Sequence, residues 1–158
     1  MLFDARCLQT PAFGTRGIGR FARAALDGVR ASVGDDRLVL LVDTGLEPLP
    51  ADLAGAARQV RRVDEREVPR YGALVQPSPM TATALPLLPL LHSEAKKVAV
   101  VFDFIPMHYP TVYLRHFAAR AEYAAALDAL RLYGEFVCIS ALARTELLTL
   151  LGRPGEGP

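Results

Sequence analysis

The chain has 158 residues, of which 51% are hydrophobic and 22% charged, with a formal charge of +1. That length suits one domain burying about 70% of its unfolded surface, with the composition of a soluble globular protein. The near-zero charge gives no bulk electrostatic case for nucleic acid or a membrane surface. Met1-Leu2-Phe3 runs straight into Asp4 and Arg6, so no signal-peptide pattern is expected. The longest near-apolar piece, Ala82 to Leu91, carries Pro86 and Pro89 and is too short to span a bilayer. A reducing, cytoplasmic setting is the expectation. Cys7 and Cys138 then read as small core hydrophobes in buried strands; two thiols make no metal framework, and no metal site is proposed.

In chain order, Met1–Leu8 reads as a first strand and Gln9–Arg16 as a loop with Pro11 and Gly14. A helix opens at Gly17. Its apolar residues Ile18, Phe21, Ala22, Ala25, Leu26 and Val29 recur at the spacing of one buried face. Gly34-Asp35-Asp36 turns the chain into a second strand, Leu38–Val42, closed by Asp43, Thr44 and Gly45. Ala51–Ala57 predicts a short helix and Gln59–Val63 a third strand, and the alternating charges of Asp64–Arg70 a solvated surface. Ala73–Gln76 is a candidate short strand before the break Pro77-Ser78-Pro79. Between Pro86 and Pro89 there is room for one helical turn at most.

Val98-Ala99-Val100-Val101-Phe102 is a continuous apolar run, the pattern of a strand buried on both faces, and the strand is expected over Lys97–Phe102. Thr111–Tyr133 reads as one long Ala-rich helix ended by Gly134. Phe136–Ile139 is the last strand. Ser140 caps a helix running to Leu151 and stopped by Gly152 and Pro154. Strands and helices alternate throughout, so the expected class is α/β with a mainly parallel sheet. Residues 1–151 form that domain, and the Gly- and Pro-rich residues 152–158 look like the start of a linker to a second domain.

Two stretches stand out chemically. In open α/β sheets, ligands bind beyond the carboxyl ends of the strands. The Val98 run ends there in Asp103, His108 and Tyr109: a carboxylate that could act as base or orient a hydroxyl, an imidazole and a phenol. The bland reading of Asp103 is a cap on backbone N–H groups near Ile105, and that of His108 is an exposed loop residue. The second stretch is Arg16-Gly17-Ile18-Gly19-Arg20. Free N–H groups at a helix start, flanked by two arginines, favour a phosphate or carboxylate. Its bland reading is a tight turn that needs glycine. Gly17, Gly19 and Ala22 also fit a dinucleotide fingerprint with Asp43 at the end of the next strand, but a long loop separates them from the first strand. His92 and His116 have no partner at metal-ligand spacing. Ser140 lacks a nucleophile elbow.

Taken together, D-A-R-C-L-Q with R-G-I-G-R-F, then V-F-D-F-I-P-M-H-Y-P, then F-V-C-I-S-A-L-A-R-T-E-L-L-T-L-L-G resemble the N-terminal half of a GT-B fold glycosyltransferase. The likeness is to the retaining, mannosyltransferase-like group that builds bacterial polysaccharide, and it covers nearly the whole chain. It implies a Rossmann-like three-layer domain forming one half of a GT-B fold. That half binds the glycan acceptor, while a C-terminal domain binds the nucleotide-sugar donor in a cleft between the two. No further cofactor is implied. Gly17 to Arg20 would line the cleft near the donor diphosphate, Asp103 matches the Asp of the family's His-Asp turn, and peripheral association with the inner face of the cytoplasmic membrane is admitted. Two departures stand: the family His is here Phe102, and the donor half's pair of glutamates eight positions apart has no counterpart. The chain alone is therefore expected to be inactive or nearly so. An oxidoreductase domain binding NAD(P) and a non-catalytic partner subunit remain as alternatives.

Overall fold

A computed structural model describes residues 1–54, 59–62 and 71–153. Six strands form one sheet: β1 (Leu2–Asp4), β2 (Val39–Val42), β3 (Gln59–Arg62), β4 (Ala73–Gln76), β5 (Lys96–Val101) and β6 (Glu135–Cys138). Their order is β3-β2-β1-β4-β5-β6, and every neighbouring pair is parallel. The expected class is observed, a Rossmann-like α/β domain. Its connection reverses direction between β1 and β4, and Phe3 of β1 sits in register between Leu40 and Val75 at that switch.

Side-chain alternation along the strands sends residues to two faces. On one face Leu2, Val39, Leu41, Leu74 and Ala99 pack with Leu87, Leu90 and Leu91, and with Ala129 and Tyr133. On the other, Phe3, Leu38 and Leu40 pack with Ala22 and Leu26 of α2 (Gly17–Val33) and Leu53 of α3 (Ala51–Ala54). Helices on both faces make three layers. The face read for α2 is the one it buries: Ala22 and Leu26 are inaccessible, with Ile18, Ala25 and Val29 packed alongside. Coverage thins at β6, where Val137 is 47% exposed and Ile139, just past the strand, 51%.

Several expected boundaries are corrected. The first strand ends at Asp4, because the backbone from Arg6 to Leu8 tightens into a 3-10 turn. Cys7 is therefore buried in a turn rather than a strand, and Cys138, although in β6, is only partly buried. The loop before α2 contains a short helix, α1 (Pro11–Gly14), opened by Pro11 at its first position. Pro86 and Pro89 each start a turn: a 3-10 turn at Leu85–Leu87 and α4 (Leu88–Leu91). The long helix expected over Thr111–Tyr133 is broken into α6 (Pro110–Tyr113), α7 (Phe117–Ala129) and a 3-10 turn at Leu130–Leu132. The break is stabilised by Arg120, whose Nε donates to the freed carbonyl of Leu114 at 2.8 Å. Strand β6 starts one residue early and stops at Cys138. The end of the helix expected over Ala51–Ala57, Val63 of the third strand, the Asp64–Arg70 surface and the last residues of the linker lie outside the described residues.

Ser140 caps α8 (Ala141–Leu150) as read, accepting from the Ala143 N–H at 3.1 Å. Gly152 supplies the positive φ (74°) that ends that helix.

Candidate functional site

The carboxyl ends of β1, β4, β5 and β6 point their following loops to one edge, and the crevice at the β1/β4 switch is where such sheets place ligands. At the floor of that switch lies a buried polar network drawn largely from the D-A-R-C-L-Q stretch, whose Asp4, Arg6 and Gln9 carry no role of their own in the sequence reading. Arg6 is fully buried and grips Asp4 at two points, Nε to Oδ1 at 3.0 Å and Nη2 to Oδ2 at 2.9 Å. Its Nη1 donates to the Thr83 carbonyl at 2.8 Å, and Gln76 Nε2 donates to Asp4 Oδ2 at 2.9 Å. Burial works against the Arg6 charge, but the Asp4 carboxylate outweighs it and holds the guanidinium above its ordinary range. Gln9 clamps the neighbouring loop, bonding the Asp43 and Glu47 carbonyls through Nε2 and accepting the Asp43 N–H. The charged groups are consumed by one another, while the buried Gln76 Oε1 has no partner among the described residues. They shape the edge without presenting chemistry to it.

Next to this floor, α2 begins. Arg16 precedes its first turn in extended conformation, no side chain caps it, and no acid lies in that turn. Arg16, Gly17 and Arg20 are exposed and Ile18 is half-buried. Among the described residues no carboxylate pairs with Arg16 or Arg20. The two glycines divide. Gly19 is buried, and a Cβ there would sit 2.2 Å from the Gly14 carbonyl oxygen, so its glycine is required by the close approach of α1 to α2. A Cβ on Gly17 would meet nothing within 4 Å. The tight-turn reading is therefore corrected, since neither glycine has a positive φ: Gly19 is needed for packing, while Gly17 with its flanking arginines leaves an open, cationic helix start.

The second stretch meets the first. Phe102, expected as the last strand residue but lying just past β5, packs edge-on against Phe21 of α2 with ring centroids 5.4 Å apart. The Phe102 ring therefore joins the two candidate stretches. Asp103 is exposed, and its Oδ1 accepts the Ile105 N–H at 3.0 Å, which is the capping role weighed for it. The turn expected after it is helical, α5 (Ile105–His108). His108 is not a lone loop histidine: its Nε2 contacts Glu146 Oε1 on α8. Tyr109 is 59% exposed. Behind them Tyr123 of α7 is 8% exposed, and its hydroxyl has no hydrogen-bond partner among the described residues. Burial first, then the Asp103 and Glu146 carboxylates, push that phenol up to about 12, so it stays an O–H donor.

Glu146 and Tyr123 were missed because nothing local marks them. Each sits on a helix, and only packing brings Glu146 to His108 and buries Tyr123. Among the described residues no group of three or more His, Cys, Asp or Glu could hold a metal ion, and no helix is long and apolar enough to cross a membrane. Asp43, the acid of the dinucleotide reading, spends Oδ1 on the Gly45 N–H at 2.8 Å, and its own N–H on Gln9. No family model, curated protein or solved structure matches the chain.

Proposed function

We propose that this chain is the acceptor-side domain of a retaining glycosyltransferase. The reaction would transfer a hexose, with mannose the first candidate, from a nucleotide sugar to a growing polysaccharide or lipopolysaccharide glycan. The observation that carries the reading is the Phe21–Phe102 contact. It joins an arginine-flanked, open helix start, suited to a diphosphate, to a carboxylate suited to orienting a hydroxyl just past β5, two strands from β1 in the sheet. The motif resemblance supports the same pairing. In this reading the donor's other contacts come from a C-terminal domain. The departing diphosphate takes the acceptor proton, and Arg16 and Arg20 stabilise the charge that develops on it. Peripheral membrane association belongs to the same proposal, since acceptors of this kind are lipid-linked.

The dinucleotide alternative is weakened by Gly19, which is filled by Gly14, and by the short helix standing between β1 and the glycines. The test uses the full natural protein containing this chain, assayed for transfer from a panel of nucleotide hexoses to a lipid-linked glycan. Arg20→Ala should lower kcat by about 100-fold, the size of one lost oxyanion contact, with an unchanged melting temperature. Unchanged turnover would remove Arg20 from the mechanism. Binding of NAD without any transfer would overturn the glycosyltransferase reading.

A further inference from the structure

We infer that the segment after β5, from Ile105 to Arg120, is a docking surface for an anionic lipid bilayer. The reason for meeting a membrane, a lipid-linked acceptor, rests on the glycosyltransferase reading. The surface itself stands on exposed side chains and on charge.

The segment is set apart by what it leaves outside. Neither α5 nor α6 buries a residue. Ile105, Met107, Tyr109, Val112, Tyr113 and Phe117 are all exposed, from 40% at Met107 to 87% at Phe117. Large apolar side chains scattered singly over a surface are ordinary, but a run of them in so short a span marks an interaction site. The Tyr109 N–H donates to the Ile105 carbonyl at 3.0 Å and the Tyr113 N–H to the Tyr109 carbonyl at 3.1 Å, which puts these three on successive turns. Both ends of the segment are held. Phe104 is buried in the core beside Val101, Leu130 and Leu147, and Arg120 bonds the Leu114 carbonyl. The apolar groups are therefore presented on a fixed support.

Charge chooses the occupant. From Phe104 to Ala121 the chain carries Arg115, Arg120, His108 and His116 and no Asp or Glu. Asp103 and Glu122 bound that span, and Glu146 of α8 meets it at His108. The +1 charge of the whole chain conceals this local excess. Tyrosine and phenylalanine rings beside arginines settle at headgroup depth, the rings against acyl chains and the guanidinium groups on phosphates. A second copy pairing through the same face would bring two such basic segments together. A protein partner would need a fitted, acidic groove, whereas a bilayer closes over a projecting ridge of any shape. Asp103 opens the segment, so docking holds that carboxylate near the surface where a lipid-linked hydroxyl is presented.

The experiment is co-sedimentation of the natural protein containing this chain with vesicles. One set is phosphatidylcholine alone; the other contains about one-third phosphatidylglycerol, enough to give an anionic surface. The protein should partition onto the anionic vesicles, less so as salt rises, and weakly onto phosphatidylcholine. Replacing both Tyr113 and Phe117 by Ser should weaken partitioning by about tenfold with an unchanged melting temperature. Arg115→Gln should weaken it by about fivefold, on the anionic vesicles only. Val137→Ser, an exposed apolar residue on β6, should bind like the parent. Absence of binding to anionic vesicles overturns the proposal, as does binding that survives the loss of Tyr113 and Phe117. A lipid-free dimer that those two substitutions dissociate, with no vesicle binding, would instead assign the face to a second copy. Vesicle binding without transfer from any nucleotide sugar leaves this surface standing and removes the glycosyltransferase reading. Transfer to a lipid-free glycan without vesicle binding does the reverse.

Discussion

Two pairs of titratable side chains, each at or after the end of a strand of the same sheet, differ most in access to water. At β1 the Arg6 and Asp4 side chains are 0% and 4% exposed; at β5 the His108 and Glu146 side chains are 54% and 22% exposed. The first is enclosed by Gln76 and the Thr83 carbonyl and can meet no ligand. The second leaves the Nδ1 of a half-exposed ring without a partner among the described residues. Similar chemistry therefore serves architecture in one place and is available for recognition in the other.

The contrast can be broken most forcefully at β1. Arg6→Ala leaves a buried carboxylate without its counter-charge, and should cost about 3–5 kcal/mol in urea unfolding, whereas replacing both partners by apolar residues should recover much of that loss. A loss below about 1 kcal/mol for the single variant would mean that the pair is solvated and the contrast false.

A second effect comes from the thiol beside that pair. Burial, with a smaller push from Asp4, raises Cys7 from 9.0 to about 12. Above pH 9 the unfolded chain releases this proton while the folded chain keeps it. Stability therefore falls with rising pH, by up to about 1.4 kcal/mol per unit, across the window from 9 to about 12. Unfolding at pH 8, 9 and 10 should show Cys7→Ala losing stability less steeply than the parent. Parallel slopes would place the thiol in water.

The smallest effect is expected at the exposed pair. Glu146→Gln should change the unfolding free energy by no more than about 1 kcal/mol. A cost comparable to that of Arg6→Ala would assign His108–Glu146 to the scaffold, and with it the contrast would collapse.

Much of this edge was legible in residue order. The apolar run before Asp103 announced an inner strand, whose last three residues are buried because both faces of a parallel sheet are covered. The spacing of Ile18, Ala22, Leu26 and Val29 named the buried face of α2. The caps at Ser140 and Asp103 were readable because such bonds span two or three residues. The break at Leu114 was not. It carries no Gly or Pro, and depends on a guanidinium from the next helix.

The dual nature of Gly17 and Gly19 was likewise open until their surroundings were known. Spacing says that glycine is present; only the approach of Gly14 says which one is needed for packing.

By itself, then, the sequence determined what is local: strands, caps, helix faces and the α/β class, all set by periodicity and by bonds between near neighbours. Tertiary structure alone decided strand order, the enclosure of Arg6, the Phe21–Phe102 contact and the meeting of His108 with Glu146. Those features join residues far apart in the chain. Burial and charge pairing act through space, and no pattern of neighbours in sequence encodes which side chains will share it.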